Sequence, residues 1–379
     1  MGICGEGFLK SYFRLGYLIM QTTHRFFHAY SDVLFPVKTE ATGVPTVYEQ
    51  AEQLGGKFTR IVNGLPENTI ANFSPSVIRF NETNYLAWRC QPQPFGFRYD
   101  MKYFYLNGQP NDIYIGILGN DDASVIGTKK LRPKKHRLSY EDPRLFKGPD
   151  EQLYVQFITS TYASRYDTKD YKLFHQPKVS VCWVNENFDA VKSATPPIGE
   201  NLVKGKSEKN WCFFSRKDEL ACLYSTRPLI VESERTPRIE VDTQILDTVT
   251  RGAPTFNSTA PIDLGYGYLI FYHWKHTAFA PSGKPYLLYH VSAYMVDKEF
   301  TKVTYIVDKP LFTGSLNDRV IEWTDLMGTP VSNQPAVILP FGAYVHGTEL
   351  VMSLGVNDAF MGIFRTQLEN IMKLLKRAD

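Results

Sequence analysis

The chain has 379 residues, with 42 Lys and Arg against 39 Asp and Glu, so a formal charge of +3 gives no global electrostatic case for nucleic acid or an acidic membrane. Hydrophobic residues at 43% and charged residues at 21% exclude a low-complexity or collagen-like chain and allow one large domain or two ordinary ones. The aromatic share of 14%, with 25 Phe and 23 Tyr, favours strands.

In chain order, FLKSYFRLGYLIMQTTHRFFHAY (residues 8–30) is apolar and aromatic, but Lys10, Arg14, His24 and Arg25 interrupt it. It is too broken for a membrane span and lacks a signal-peptide cleavage pattern. The MGICGE start lacks the Ser or Thr that myristoylation requires. Residues 1–66 read as an N-terminal extension that is partly helical. The five cysteines, Cys4, Cys90, Cys182, Cys212 and Cys222, are odd in number and show no metal-ligand spacing. They predict neither a disulfide framework nor a zinc site, and a reducing, cytoplasmic compartment is the simpler reading. Without a secretion signal, the Asn-x-Ser/Thr sequences at Asn72, Asn81 and Asn257 are expected to be unused.

From about residue 70, short aromatic and β-branched runs alternate with turn residues, as many strands would. The runs are SVIRFNETNYLAWRC, DIYIGIL, LYVQFITSTY with VSVCWV, WCFFSRKDELACLYS, YGYLIFYHW with YLLYHVSAYMV, and AVILPFGAYVHGTELVMSLG. A polar turn followed by an apolar run that closes on an aromatic, Arg or His is read in NYLAWR, QLYVQF, ELACLYS, YGYLIFYH and TELVMSLG. Five such units predict an all-β fold, a five-bladed β-propeller over residues 67–361 with four-stranded sheets around a central channel. In MGIFRTQLENIMKLLKRAD, Ile363, Leu368, Ile371, Met372 and Leu375 recur at three- and four-residue steps, which predicts a C-terminal helix over 362–379.

Two stretches near the middle carry charge. KKLRPKKHR, residues 129–137, has seven basic side chains in nine positions and reads as a solvated loop, or as an attractor for an anionic substrate. SYEDPRLFKG follows at residues 139–148. An extended path there sets Asp142 and Arg144 on one face and Glu141 on the other, with Pro143 fixing the local backbone. An arginine beside Asp142 suits a structural ion pair, whereas a general acid needs desolvation to win, so the stretch taken alone favours a salt-bridged turn.

Three later stretches also place polar groups at the edge of apolar runs: SEKNWCFF with Lys209 and Asn210, RGAPTF with Arg251, and YLIFYHWKH with His273. Each has a bland reading as solvated lysine, turn residue or packed histidine. A propeller would aim them together at one pocket, where Lys, Arg and His make an anion site.

The order NFSPSVIRF…YLAWR, YEDPRLF, EKNWCFF…LACLYSTRP, RGAPTF…YLIFYHW…YLLYHVSAY and VILPFG…LVMSLGVND resembles glycoside hydrolase family 130, the β-mannoside phosphorylases and mannosidases, with related β-mannosyltransferases. The resemblance runs over residues 70–360, and Glu-Asp-Pro-Arg is its most specific element. It implies a five-bladed propeller in which Asp142 is the general acid, with its proton relayed through a sugar hydroxyl. It also implies that Arg89, Arg144, Lys209, Asn210, Arg251, His273, Tyr289 and Asp358 face the substrate or phosphate. Two departures stand out: the family's Gly-Gly turn is Gly252-Ala253, and one phosphate-binding arginine has only Lys178 as a weak substitute.

The chemistry separates the possible reactions. An inverting hydrolase needs a second carboxylate roughly 6.5–9.5 Å from the acid to activate water. Here the candidates are Glu208 and Asp358. A phosphorylase needs only a cationic cradle, for which Lys209, Arg251 and His273 are available. The expectation is therefore glycosyl transfer to or from phosphate, on an oligosaccharide or sugar-phosphate substrate. No metal or cofactor is expected beyond inorganic phosphate as co-substrate, and no nucleic-acid or membrane partner. The alternatives are an inverting hydrolase of the same fold and a non-catalytic sugar-binding propeller.

Overall fold

The computed structural model describes residues 43–67, 69–92, 111–131, 138–161, 178–194, 209–279, 285–318 and 336–378. Its strands gather into five antiparallel sheets in a β-propeller arrangement. The first holds Thr69–Phe80, Thr83–Pro92, Asp112–Leu118 and Val125–Leu131, and the second Leu138–Lys147, Leu153–Thr161, Lys178–Val184 and Ala190–Ala194. The third holds Cys212–Arg216, Glu219–Thr226, Leu229–Ser233 and Ile239–Val241. The fourth departs from the four-stranded form. It has seven strands, built around the long hairpin of Gly267–Phe279 and Pro285–Asp297.

The fifth sheet joins the two ends of the fold. Ile338–His346, Glu349–Val356 and Phe360–Gln367 form three of its strands, and the fourth is Gly56–Arg60, which pairs antiparallel with Phe360–Gln367. Part of the expected N-terminal extension is thus an outer propeller strand. The preceding helix, Val47–Gln53, is tied down from both sides. Thr46 and Glu49 form a reciprocal capping box, and both Asp318 carboxylate oxygens accept from the Val47 N–H, at 3.1 and 2.9 Å.

The expected C-terminal helix is corrected. It forms only over Leu368–Met372; Phe360–Gln367 is strand, and Leu375–Arg377 adds a strand to the fourth sheet. Phe360–Gln367 has partners on both edges and is buried almost throughout, so its apolar residues do not alternate cleanly and the helical spacing is coincidental.

The sheets pack through apolar faces, with Trp88, Phe157, Phe213, Phe271 and Phe364 all fully buried. Each such side chain contributes about 1.5–3 kcal/mol of transfer free energy. Polar bridges fix adjacent sheets. The Leu145 N–H donates to Ser76 Oγ at 2.8 Å, the Val77 N–H donates to Ser353 Oγ at 3.2 Å, and Thr226 Oγ1 donates to Asn257 Oδ1 at 2.8 Å. Gly342 is required where the fifth sheet meets the first, because a Cβ there would lie 2.4 Å from the Val77 nitrogen.

Asn257 is buried and bonded in this way, and Asn72 accepts from the Trp88 indole, so neither presents a free amide. Cys90, Cys182, Cys212 and Cys222 are free and buried. Cys4, residues 8–30, Arg132 to Arg137 of the basic run, and Glu208 lie outside the described residues. At the start of that run, Lys129 pairs with Asp189 and Lys130 with Asp112. Among the described residues no helix is long and apolar enough to cross a membrane, and no group of three or more His, Cys, Asp or Glu could hold a metal ion.

Candidate active site

The strand Leu138–Lys147 does not run straight through Glu141-Asp142-Pro143-Arg144. Its register shifts between Glu141 and Arg144, and Asp142 takes a left-handed backbone with φ 50°. The first sheet repeats the device at Phe73-Ser74-Pro75-Ser76, where the register shifts again and Ser74 has φ 51°. A bulge re-aims side chains that regular pleating would alternate. The Ser74 hydroxyl therefore meets Asp142, donating to Oδ1 at 3.2 Å. Asn210 and Asp358 share the left-handed conformation, at φ 64° and 48°. Such backbone is uncommon outside glycine and tends to collect at functional sites.

Arg89 organises the acidic side. It is buried on the strand Thr83–Pro92, with its guanidinium 4.8 Å from the centre of the Phe73 ring. Nη2 lies 3.6 Å from Glu141 Oε1 and Nη1 lies 3.9 Å from Asp142 Oδ1. Glu141, expected on the face opposite Asp142, therefore shares its counter-ion, because the bulge cancels the alternation. Asp358 completes this side from the turn between Glu349–Val356 and Phe360–Gln367. Asn357 anchors that turn by donating to the Ser315 carbonyl at 2.8 Å and accepting from the Val337 N–H at 3.0 Å. Burial pushes the Asp358 carboxyl up to about 6; Arg89 opposes the shift, while the charges of Asp142 and Glu141 add to it.

The opposite side is basic. Arg144 is buried but does not pair with the Asp142 carboxylate as its spacing suggests. Its Nε donates to the Ser258 carbonyl at 3.0 Å and its Nη1 to the Asp142 main-chain carbonyl at 3.3 Å, and the guanidinium lies over Phe341. Ser258 is also linked to His273, with Oγ 2.8 Å from Nδ1. The His273 ring stacks between Phe256 and Tyr289, with centroids at 5.3 and 6.4 Å. Burial, reinforced by the charges of Arg144, Lys209 and Lys275, holds its pKa well below the ordinary histidine value. His273 is thus a neutral imidazole near pH 7 rather than the cation that an anion cradle assigns to it.

Lys209 is exposed and its charge acts on His273, Lys275 and Asp358, which places it between the two sides. Asn210 beside it is buried. Tyr289 faces Lys275 across the long hairpin, and its hydroxyl is pushed up to about 12 by burial and by the charges of Asp358 and Asp142.

Arg251 does not join this group. It ends the short helix Asp247–Thr250 with φ 54°, its side chain is exposed, and no described contact or electrostatic influence ties it to the others. Lys178 lies on the second sheet, paired with Thr159. Sequence reasoning passed over Ser74, Ser258 and Lys275. The signal for Lys275 was present, since His273-Trp274-Lys275 in a strand puts the first and third side chains on one face.

The chain matches the family described as beta-1,4-mannooligosaccharide phosphorylase, glycoside hydrolase family 130, over residues 45–377. No curated protein matches it by sequence. Solved structures share its fold at low identity. A family 130 glycoside hydrolase that targets β-1,2-mannosidic linkages in Candida mannan aligns with TM-score 0.52 and 10% identity, covering 83% of this chain and 94% of that one. A GDP-Man-dependent mannosyltransferase from Leishmania mexicana aligns with TM-score 0.51 and 10% identity, covering 85% and 95%. The β-1,2-mannobiose phosphorylase of Listeria innocua aligns with TM-score 0.48 and 15% identity, covering 83% and 94%.

Proposed function

The chain belongs to glycoside hydrolase family 130, and from that premise we propose that it moves a glycosyl group, mannosyl by family, between a β-mannoside and phosphate. Asp142 is the general acid in this reading. The observation that carries it is the segregation of charge: Glu141, Asp142 and Asp358 gather around Arg89, while Arg144, Lys209 and Lys275 surround His273 with no ion pair to a carboxylate among the described residues. A cluster of cations beside an acid fits an anionic nucleophile. In phosphorolysis a phosphate oxygen bonds to the anomeric carbon as the glycosidic C–O bond breaks. The Asp142 proton goes to the leaving oxygen, and the carboxylate left behind faces Arg89.

The test is product analysis on a β-mannoside with and without inorganic phosphate. The expected result is a mannosyl phosphate, formed only when phosphate is present. Free mannose released at an undiminished rate without phosphate would overturn the reading.

A second reading rests on Asp358. It is a second carboxyl on the same side as Asp142, pushed up to about 6 by burial, and an inverting hydrolase uses a second carboxylate to activate water. Phosphate-independent release of mannose that disappears in Asp358→Asn would select hydrolysis. The four buried free thiols support a reducing, cytoplasmic setting, which a fusion-reporter localisation would check.

A further inference from the structure

Lys275 sits within the stretch YLIFYHWKH that pointed to His273, and the fold brings it to the site as well. It lies two residues beyond His273 on the strand Gly267–Phe279, so both side chains leave the same face. Its direct cross-strand neighbour is Tyr289, with the ammonium 3.4 Å from the phenol oxygen and 5.4 Å from the ring centre. The same tyrosine ring stacks on His273, so His273, Tyr289 and Lys275 form one contiguous surface.

Three features make this lysine unusual. It is half-buried, whereas a lysine with only a structural task usually stays in water. No carboxylate among the described residues forms an ion pair with it, as is also true of the exposed Lys209, so its burial is not offset by an acidic partner. Burial first, and then the like charge of Lys209, pulls its amine below the ordinary lysine value. Two lysines whose charges act on one another, beside a neutral imidazole and a phenol, create a positive local field that attracts an anion.

We propose that Lys275, oriented by Tyr289, is an anion-contacting residue that works with Lys209 to select a phosphate-bearing co-substrate. The proposal rests on the phosphate-dependent reading above and adds to it the residue from the long hairpin. Phosphate carries several oxygens and a negative charge that both lysines attract. Water, the co-substrate of a hydrolase, gains nothing from that pair.

The experiment compares the wild-type full chain with Lys275→Met, Lys275→Arg and Tyr289→Phe. It reads inorganic phosphate binding by titration calorimetry, and the KM for phosphate and for mannoside separately. Losing one charge-assisted hydrogen bond should weaken phosphate about tenfold in Lys275→Met. The mannoside KM should stay within about twofold, and Lys275→Arg should recover most of the loss. Tyr289→Phe should weaken phosphate about threefold, by freeing the ammonium from its partner. If the wild type binds and uses phosphate but Lys275→Met matches it in both readouts, the Lys275 role is wrong and the phosphorylase reading stands. If the wild type neither binds phosphate nor depends on it, both are wrong. A change in mannoside KM alone would also overturn the proposal, by assigning Lys275 to the sugar.

Discussion

On the Arg89 side of the site three carboxylates share one guanidinium, whereas on the His273 side three cations surround an imidazole that burial keeps neutral. The acidic side comes from the first, second and fifth sheets, and its carboxylates have the Arg89 guanidinium among them. The basic side draws on the second and fourth sheets and on the segment before the third, and among the described residues no carboxylate forms an ion pair with it. Arg89 favours ionised carboxylates, so a proton on this side depends on burial, as at Asp358, whereas the cations of the other side attract an anionic ligand. The neutral His273 sharpens the contrast, because it contributes a hydrogen-bonding ring tied to Ser258 rather than charge.

The largest expected effect breaks the acidic side at its centre. Asp142→Asn should lower turnover by about 10³-fold with mannoside binding retained, as loss of a general acid does. Steady-state kinetics paired with calorimetric binding would check it, and normal turnover would remove Asp142 from the chemistry.

Next is Arg89→Met, which leaves Glu141, Asp142 and Asp358 without their shared counter-ion. Removing one partner of a buried charge cluster should cost about 3 kcal/mol of folding stability at neutral pH. Urea unfolding would measure it. The cost should shrink as pH falls and the carboxylates take up protons; a cost independent of pH would mean that lost packing on Phe73, rather than charge, accounts for it.

Lys209→Met tests the basic side more gently, because the residue is exposed. It should raise the KM for phosphate roughly fivefold, equivalent to about 1 kcal/mol, without moving unfolding. A matching rise in mannoside KM would place Lys209 on the sugar instead.

The smallest effect is on the shape of the pH profile. Asp358 has its pKa raised to about 6, so it is protonated and neutral below that pH and ionised above it. A limb near pH 6 in kcat should be present in the wild type and absent from Asp358→Asn. A limb that survives the substitution would belong to another group.

Much of the fold could be read from the chain because alternating apolar residues and hairpin turns are local signals. SVIRF and YLAWR form adjacent strands, as do LYVQF and VSVCW. The long hairpin was visible in YLIFYHW and YLLYHVSAY. The C-terminal stretch misled because a strand buried on both faces loses the alternation that marks strands. Gly56–Arg60 was hidden for a related reason: a short outer strand has little pattern of its own, and its partner lies some 300 residues away, at Phe360–Gln367.

The sequence by itself therefore determined the strand-rich architecture, the Glu-Asp-Pro-Arg segment, and a set of polar residues that included Arg89, Asp142, Lys209, His273 and Asp358. Only the tertiary structure decided their partners and charge. A bulge at Asp142 turned Glu141 onto the same arginine, the Ser258 carbonyl drew Arg144 away from the Asp142 carboxylate, and burial silenced the charge of His273. It also left Arg251 in solvent and brought in Lys275. The physical reason is that alternation and turn propensity act within a few residues, whereas desolvation and Coulomb interactions depend on neighbours that distant strands supply.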